Sequence, residues 1–179
     1  VEMDFMLDLH TAPGCQNGFD NGGIQYQLEW PNDPKNIDKT IEILEVIANR
    51  YKMKPHFHSI QLLNEPFVSV DIEIIKDFYI RSYDRLRKIL PETYIVMHDA
   101  FRLHAWKEFF IDNEFTNVIL DTHMYQCFDG RMEKFTIKEH ESEALKRTKR
   151  LAEIEEFVPV VVGEWSLGLT SNEFINEKT

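Results

Sequence analysis

The sequence predicts an α/β protein, a partial (β/α)8 barrel that contains about the third to seventh strands. Apolar runs typical of strands alternate with segments of helical period, which indicates a parallel sheet covered by helices. Two of these runs end in a glutamate, Glu65 and Glu164, and the carboxyl ends of barrel strands carry the functional side chains of such folds. The 179 residues suffice for one domain, whereas a whole barrel takes about 250 residues. We therefore treat residues 1–179 as one partial catalytic domain and expect a longer natural chain.

Five strands are predicted from short runs rich in β-branched and aromatic residues. They cover residues 2–9, 57–63, 94–98, 117–122 and 158–163. A sheet with five of eight barrel strands would leave two open edges, which favour aggregation or pairing with another chain.

Four helices are predicted between these strands. Asp33-Pro34 and Asp71 each begin a helix with an apolar stripe, and a short helix is expected near residues 104–112. Thr136 and Glu139 form a capping box in front of a charged helix. The side chains expected to face the sheet are Ile37, Ile41, Leu44, Ile47 and Tyr51 in the first helix, Ile75, Phe78, Tyr79, Ser82, Leu86 and Ile89 in the second, and Leu145, Leu151, Ala152 and Ile154 in the last.

The composition favours a globular domain and excludes several partners. Hydrophobic residues make up 43% of the chain, enough for a buried core, and the net charge of -11 disfavours nucleic acid and anionic membranes. No apolar run approaches the roughly 20 residues of a membrane helix, and no signal peptide opens the chain. Cys15 and Cys127 are too few for a disulfide framework, so they are either two free thiols or one disulfide in an exported protein.

Glu65 and Glu164 are the candidate catalytic residues. The strand before Asn64-Glu65-Pro66 ends at the proline, and an apolar run also precedes Gly163-Glu164-Trp165-Ser166. Two carboxyls at the same end of a barrel can cleave a glycosidic bond, one as nucleophile and one as proton donor. Each motif alone also fits an ordinary surface glutamate, and only their combination favours catalysis.

His123 and Tyr125 lie one residue apart after a strand, so they point to the same side of the sheet. A tyrosine hydroxyl beside Glu164 would keep that carboxylate ionised, and a neutral His123 could orient the acid. The alternative is a structural histidine and a stacked aromatic ring in a loop.

His10 leads into a loop, residues 11–23, that is rich in amides, among them Asn21, and in glycines, with Phe19 as its aromatic residue. Amides can bind sugar hydroxyls, and Phe19 can stack on the apolar face of a sugar ring. A purely structural loop is the alternative.

No metal or organic cofactor is expected. The remaining histidines lack zinc-site spacing, and no His-Glu-x-x-His or Cys-x-x-Cys motif occurs. The chain also lacks the Gly-x-Ser-x-Gly motif of serine hydrolases and the glycine-rich loops that bind phosphates or dinucleotides.

The chain resembles the exo-β-1,3-glucanase branch of family five glycoside hydrolases. The resemblance rests on five strings that occur in order: residues 7–21, Asn64-Glu65-Pro66, residues 98–101, His123-Met124-Tyr125-Gln126 and Gly163-Glu164-Trp165-Ser166. It implies that Glu65 is the acid/base on the fourth barrel strand and Glu164 the nucleophile on the seventh. It further implies substrate-binding roles for His10, Asn64, Phe19, Asn21, His123, Tyr125 and Phe128, with the two phenylalanines clamping the second sugar at the mouth of an exo-acting pocket.

These observations predict a retaining β-glycosidase that hydrolyses β-1,3-glucan or related β-glucosides through a glycosyl-enzyme. A different β-glycoside, such as a β-1,4-glucan or a glucosylated small molecule, is an alternative, and so is a non-catalytic sugar-binding fragment. An oligo- or polysaccharide is the expected partner, and the full-length enzyme is expected to be a monomer. The resemblance implies an extracellular or wall-associated protein, with a cytoplasmic one as the alternative.

Overall fold

A computed structural model describes residues 2–169, which form a curled parallel sheet with helices on its outer face. Its five strands are β1 (Phe5–Asp8), β2 (Phe57–Gln61), β3 (Tyr94–His98), β4 (Val118–Met124) and β5 (Val160–Trp165). They pair in chain order, β1-β2-β3-β4-β5, and every pair is parallel. The predicted partial (β/α)8 barrel is therefore confirmed.

Four α-helices connect the strands: α1 (Pro34–Tyr51), α2 (Ile72–Arg87), α3 (Lys107–Asp112) and α4 (Ile137–Glu155). Asp33 and Asp71 cap α1 and α2 by accepting hydrogen bonds from the amides of Lys35 and Glu73. The capping box of Thr136 is present at the start of α4. None of the helices within residues 2–169 is long and apolar enough to cross a membrane.

The core lies between the sheet and helices α1 to α3. The predicted inward residues Ile41 and Leu44 of α1, and Ile75 and Phe78 of α2, are fully buried. Their burial removes a large apolar area from water, which is the main favourable contribution to folding.

Helix α4 departs from the prediction. Of its four expected core residues only Ile154 is fully buried, while Leu145 is 67% exposed and Ala152 is also exposed. Helix α4 packs beside β5, which is an edge strand within the described residues, so only part of its surface meets a neighbour. The predicted core positions Leu145 and Ala152 of α4 are therefore wrong for the described residues, while Ile154 is confirmed.

Arg87 ties together the amino ends of β3 and β4. One guanidinium nitrogen donates to the carbonyls of Leu90, Pro91 and Thr93, and the other donates to those of Thr116 and Asn117. A nearby cavity at the same end of the strands is lined by aromatic and apolar side chains, among them Tyr94, Phe110, Phe115 and Phe157. This end of the sheet is therefore built for packing.

Candidate active site

The polar side chains singled out by the sequence gather at the opposite, carboxyl end of the strands. Glu65 follows β2, His123 lies near the end of β4, and Glu164 lies near the end of β5. The pairing of β4 with β5 shifts register between Thr122 and His123, so that His123 stands beside Glu164. Register irregularities of this kind occur next to active sites because they redirect side chains.

His123 links the two candidate catalytic carboxyls. Its Nδ1 atom lies 2.7 Å from Oε1 of Glu65 and 3.5 Å from Oε2 of Glu164. Its side chain is only 2% exposed, and its Nε2 atom lies 3.2 Å from Oδ2 of Asp121. Burial alone would lower the pKa of His123, but the hydrogen bonds to Asp121 and Glu65 outweigh it and raise this pKa to about 10. The expectation of a neutral His123 is therefore wrong.

Glu65 is buried and receives two hydrogen bonds. Besides the bond from His123, its Oε2 atom accepts one from Nδ2 of Asn21 at 2.9 Å. Burial raises the pKa of Glu65, but the bonds from His123 and Asn21 have the larger combined effect, and the pKa lies below its ordinary value. Glu65 also has a positive φ of 42°, in the left-handed region that favours glycine.

Tyr125 donates a hydrogen bond to Oε2 of Glu164 at 3.0 Å, as the sequence predicted. Burial and the neighbouring Glu164 charge raise the pKa of Tyr125, so the phenol keeps its proton and can only donate to this carboxylate. The Glu164 side chain is 35% exposed and reachable by a ligand.

His10 and Asn64 lie together at the ends of β1 and β2. Nδ2 of Asn64 lies 3.4 Å from Nε2 of His10, while Nδ1 of His10 lies 2.6 Å from Oδ2 of Asp8. Because Asn64 can only donate from Nδ2, the His10 proton belongs on Nδ1, where it bonds Asp8. The buried Gln16 side chain donates to the carbonyls of His10 and Asn64, which joins the loop after β1 to the end of β2.

The two predicted aromatic clamp residues lie on different loops at this end of the sheet. Phe19 is 40% exposed and packs edge-on against Phe67, and Phe128 is 81% exposed and packs against Tyr125. Such exposed rings are available to a sugar. Cys15 and Cys127 are free thiols, and Sγ of the buried Cys15 accepts a hydrogen bond from the amide of Gly18.

Glu65, His98 and His123 converge closely enough to be considered as a metal site. Nδ1 of His98 accepts a hydrogen bond from the amide of Ala100, so the ring proton must be on Nε2. Metal binding through Nε2 would require removal of that proton, and Nδ1 is already occupied. His123 and Glu65 in turn bond each other. The chemistry of these three side chains does not fit a metal ion.

Several side chains of the site were not found from the sequence. Asp121, Asp8 and Gln16 each lie within a strand or loop whose pattern gave no sign of an inward-facing polar group. Their contacts depend on strand register and on loop conformation, and neither follows from a single sequence.

The family model described as Cellulase (glycosyl hydrolase family 5) matches residues 1–179. The chain belongs to glycoside hydrolase family 5. A probable glucan 1,3-beta-glucosidase A of Emericella nidulans is 33% identical over 178 residues, which cover 97% of this chain and 43% of that protein. A glucan 1,3-beta-glucosidase of Schwanniomyces occidentalis is 34% identical over 170 residues, which cover 92% of this chain and 39% of that protein.

Solved structures support the same fold. A rutinosidase from Aspergillus niger superposes with a TM-score of 0.73 at 19% identity, over 94% of this chain and 50% of that one. An endo-glycoceramidase II from Rhodococcus sp. superposes with a TM-score of 0.55 at 13% identity, over 82% of this chain and 35% of that one. The chain thus spans about two fifths of the length of its curated relatives.

Proposed function

We propose that the protein containing this chain is a retaining β-glucosidase that acts on β-1,3-glucan from the chain end. Glu65 serves as the acid/base and Glu164 as the nucleophile, with residues 1–179 as part of the catalytic domain. The observation that carries the proposal is the placement of both carboxyls on Nδ1 of one histidine. The relatives named as glucan 1,3-beta-glucosidases support the choice of substrate.

The geometry favours a retaining mechanism. Because Glu65 Oε1 and Glu164 Oε2 lie 2.7 and 3.5 Å from the same nitrogen, they cannot be further apart than the sum of those distances. For these two facing oxygens that limit lies just under the roughly 6.5–9.5 Å between the carboxyls of inverting enzymes, which need room for a water, and it admits the about 5–5.5 Å of a retaining pair. Glu164 can therefore attack the anomeric carbon directly. Glu65 protonates the departing oxygen from its protonated form, which its lowered pKa confines to acidic pH in the free protein.

The other residues are proposed to bind and orient the sugar. Asn64 and His10 provide polar groups for hydroxyls, and His123 and Tyr125 hold the two carboxyls in place. Asn21 bonds Glu65 in the free protein, and when the substrate binds it either releases Glu65 or bonds both Glu65 and the sugar. Phe19 and Phe128 flank the second sugar. We propose further that the enzyme is an extracellular or wall-associated monomer that needs no metal or organic cofactor.

Substitution of each glutamate in the full-length protein tests these roles. We expect Glu164→Ala to abolish formation of the glycosyl-enzyme. Glu65→Ala should still form it from an activated aryl β-glucoside, whose leaving group needs no proton, and added azide should restore turnover with a β-configured product. Glu42→Ala, an exposed position on α1, serves as the control and should behave as the unaltered protein.

The products decide the remaining choices. Laminarin should yield glucose as its first product in the β-configuration, and cellodextrins should be cleaved poorly. An α-configured first product would contradict the retaining mechanism. Faster cleavage of cellodextrins or of a glucosylated flavonoid would assign a different β-glycoside, and sugar binding without turnover would assign a binding protein.

A further inference from the structure

A buried carboxylate lies directly beneath the candidate catalytic pair. Asp121 is fully buried in β4, where its Oδ1 atom accepts a hydrogen bond from the amide of Gly163 at 2.8 Å. Its Oδ2 atom accepts one from Nε2 of Gln61 at 2.9 Å and lies 3.2 Å from Nε2 of His123. This one side chain therefore connects β2, β4 and β5 below the site.

The Gly163 contact fixes the strand that carries Glu164. Gly163 falls at the register shift and has no partner residue in β4, and its amide bonds to Asp121. A Cβ atom at position 163 would lie 2.4 Å from Oδ1 of Asp121, which real side chains do not allow. The glycine before Glu164 thus lets the Asp121 carboxylate approach the backbone next to the nucleophile.

Both ring nitrogens of His123 face carboxylate oxygens. Nε2 meets Asp121, and Nδ1 meets Glu65 and, at a longer distance, Glu164. Ionised carboxylates only accept hydrogen bonds, so a ring bonded to them on both sides carries a proton on each nitrogen.

We propose that Asp121 is a positioning residue of the reaction, which holds His123 in one orientation as a cation between Glu65 and Glu164. The inference rests on the proposed catalytic roles of the two glutamates. Asp121 touches neither the sugar nor the reacting atoms, and it acts through the imidazole ring that it orients.

The groups around His123 agree with a cation at this position. Charged or titratable side chains surround the candidate active site from all five strands or the segments that follow them: Asp8 and His10 from β1, Glu65 from β2, His98 and Asp99 from β3, Asp121 from β4 and Glu164 from β5. Burial and the neighbouring His123 lower the pKa of His98 well below its ordinary value, so His98 is neutral and adds no charge. The carboxylates around His123 outnumber the cations, which favours retention of its proton.

The Asp121→Asn variant changes the charge of the His123 ring while it alters the size of the side chain at position 121 very little. An asparagine can keep its oxygen on the Gly163 amide, but it then presents an N–H group to Nε2 of His123. The imidazole would accept from this group and lose one proton, while Nδ1–H still bonds Glu65. If Gln61 turns its amide oxygen toward the same N–H group, the site keeps its shape and loses both the cation on His123 and the anion on position 121.

Two measurements on the full-length protein test the proposal. Nitrogen NMR of histidine-labelled protein should show His123 protonated on both nitrogens well above pH 6.5 in the unaltered protein. In the Asp121→Asn variant, the His123 ring should lose one of these protons at a pH at least roughly two units lower than in the unaltered protein. The pH profile of kcat/KM on an aryl β-glucoside should also move. Loss of the cation raises the Glu65 pKa, so the alkaline limb, where the acid loses its proton, should shift upward by roughly one unit.

Gln61→Met is the matched control, because it removes a neighbour of Asp121 but leaves the contact with His123. It should keep the unaltered NMR signals and pH profile, even if it lowers stability. A His123 that titrates near pH 6.5 in the unaltered protein, or an Asp121→Asn profile that does not move, would overturn the proposal, and the first result needs no variant to fold. If the unaltered protein hydrolyses no β-glucoside but gives the expected NMR signals, the proposed function is refuted and the protonation of His123 is established.

Discussion

Single residues at the carboxyl ends of the strands have unusual backbone conformations. Glu65 after β2, and Ala100 and Phe101 after β3, have φ values of 42°, 50° and 57° without being glycine. Such conformations cost of order 1–3 kcal/mol each and persist only where surrounding contacts enforce them. At Glu65 the bonds from His123 and Asn21 supply that enforcement, which gives the carboxyl a fixed direction.

Gly163→Ala should lower both stability and activity. The added Cβ would lie 2.4 Å from Oδ1 of Asp121, so either the carboxylate or the strand before Glu164 must move. Overpacking of this kind costs about 1–3 kcal/mol, which urea unfolding of the full-length protein would measure. Gly130→Ala is the control, since the atom nearest to its added Cβ would be 4.0 Å away. Equal stabilities of the two variants would contradict the contact.

Asp99→Asn should stabilise the protein at neutral pH. Burial first, and then the charge of Asp121, raise the pKa of Asp99 to about 6. A folded pKa above the unfolded value of 3.8 means that stability falls as this carboxyl ionises between about pH 4 and 6. Asparagine can still accept from the amide of Phe101 and can donate to Thr122, without the buried charge.

The gain for Asp99→Asn should reach at most roughly 3 kcal/mol near pH 7 and vanish below about pH 4. Urea unfolding at both pH values checks this. The exposed Asp84→Asn on α2 should change stability little at either pH. A loss of stability at neutral pH would show that the Asp99 carboxylate is needed in its ionised form.

At the scale of elements, the spacing of apolar residues and the capping residues of the helices predicted most of the fold. The bounds of β3 agree at both ends, and the caps at Asp33, Asp71 and Thr136 are where the sequence placed them, because capping is a local interaction. Strand β1 begins at Phe5, later than the predicted residue 2, and β4 continues to Met124, beyond the predicted residue 122. Strand ends depend on the neighbouring strand, which local pattern does not report.

The candidate site was predictable only in part, for a related reason. Glu65 and Glu164 were found because each stands in a short motif after an apolar run. Asp121 also follows an apolar run, but nothing in the sequence shows that it meets Gln61, 60 positions earlier, and Gly163, 42 positions later. These meetings follow from the register of four strands and from the shift beside Thr122.

Thr136→Ala should destabilise α4 by removing its capping box. The Thr136 hydroxyl accepts from the amide of Glu139, and the Glu139 side chain accepts from the amide of Thr136. Loss of such a cap costs about 1 kcal/mol, which urea unfolding would detect. Thr148→Ala, in the exposed middle of the same helix, should leave stability unchanged or slightly raise it. If both variants behave alike, the cap does not stabilise the helix.

At the scale of the whole molecule, the exposed aromatic rings predict how tightly the protein binds substrates with more than one sugar. Phe128 packs on Tyr125 with most of its ring open, beside the hydroxyl that bonds Glu164. Phe128→Ala should therefore raise KM for laminari-oligosaccharides by roughly tenfold, as expected for loss of about 1.4 kcal/mol of ring contact. Turnover of an aryl β-glucoside, which lacks a second sugar, should change little.

Tyr26→Ala provides the comparison for Phe128→Ala. Tyr26 is 90% exposed in the loop after β1, and its removal should leave KM for the oligosaccharides unchanged. Equal effects of the two substitutions would assign the Phe128 result to a general loss of surface hydrophobicity.

The position of Arg87 has a consequence for how such a protein can evolve. Its five carbonyl partners hold β3 and β4 together at the end of the sheet furthest from Glu65 and Glu164. Mutations that alter the loops around Phe19 or Phe128 can therefore accumulate without disturbing this attachment. New sugar preferences would be acquired in the loops at one end of the strands, while the contacts of Arg87 keep β3 and β4 joined at the other.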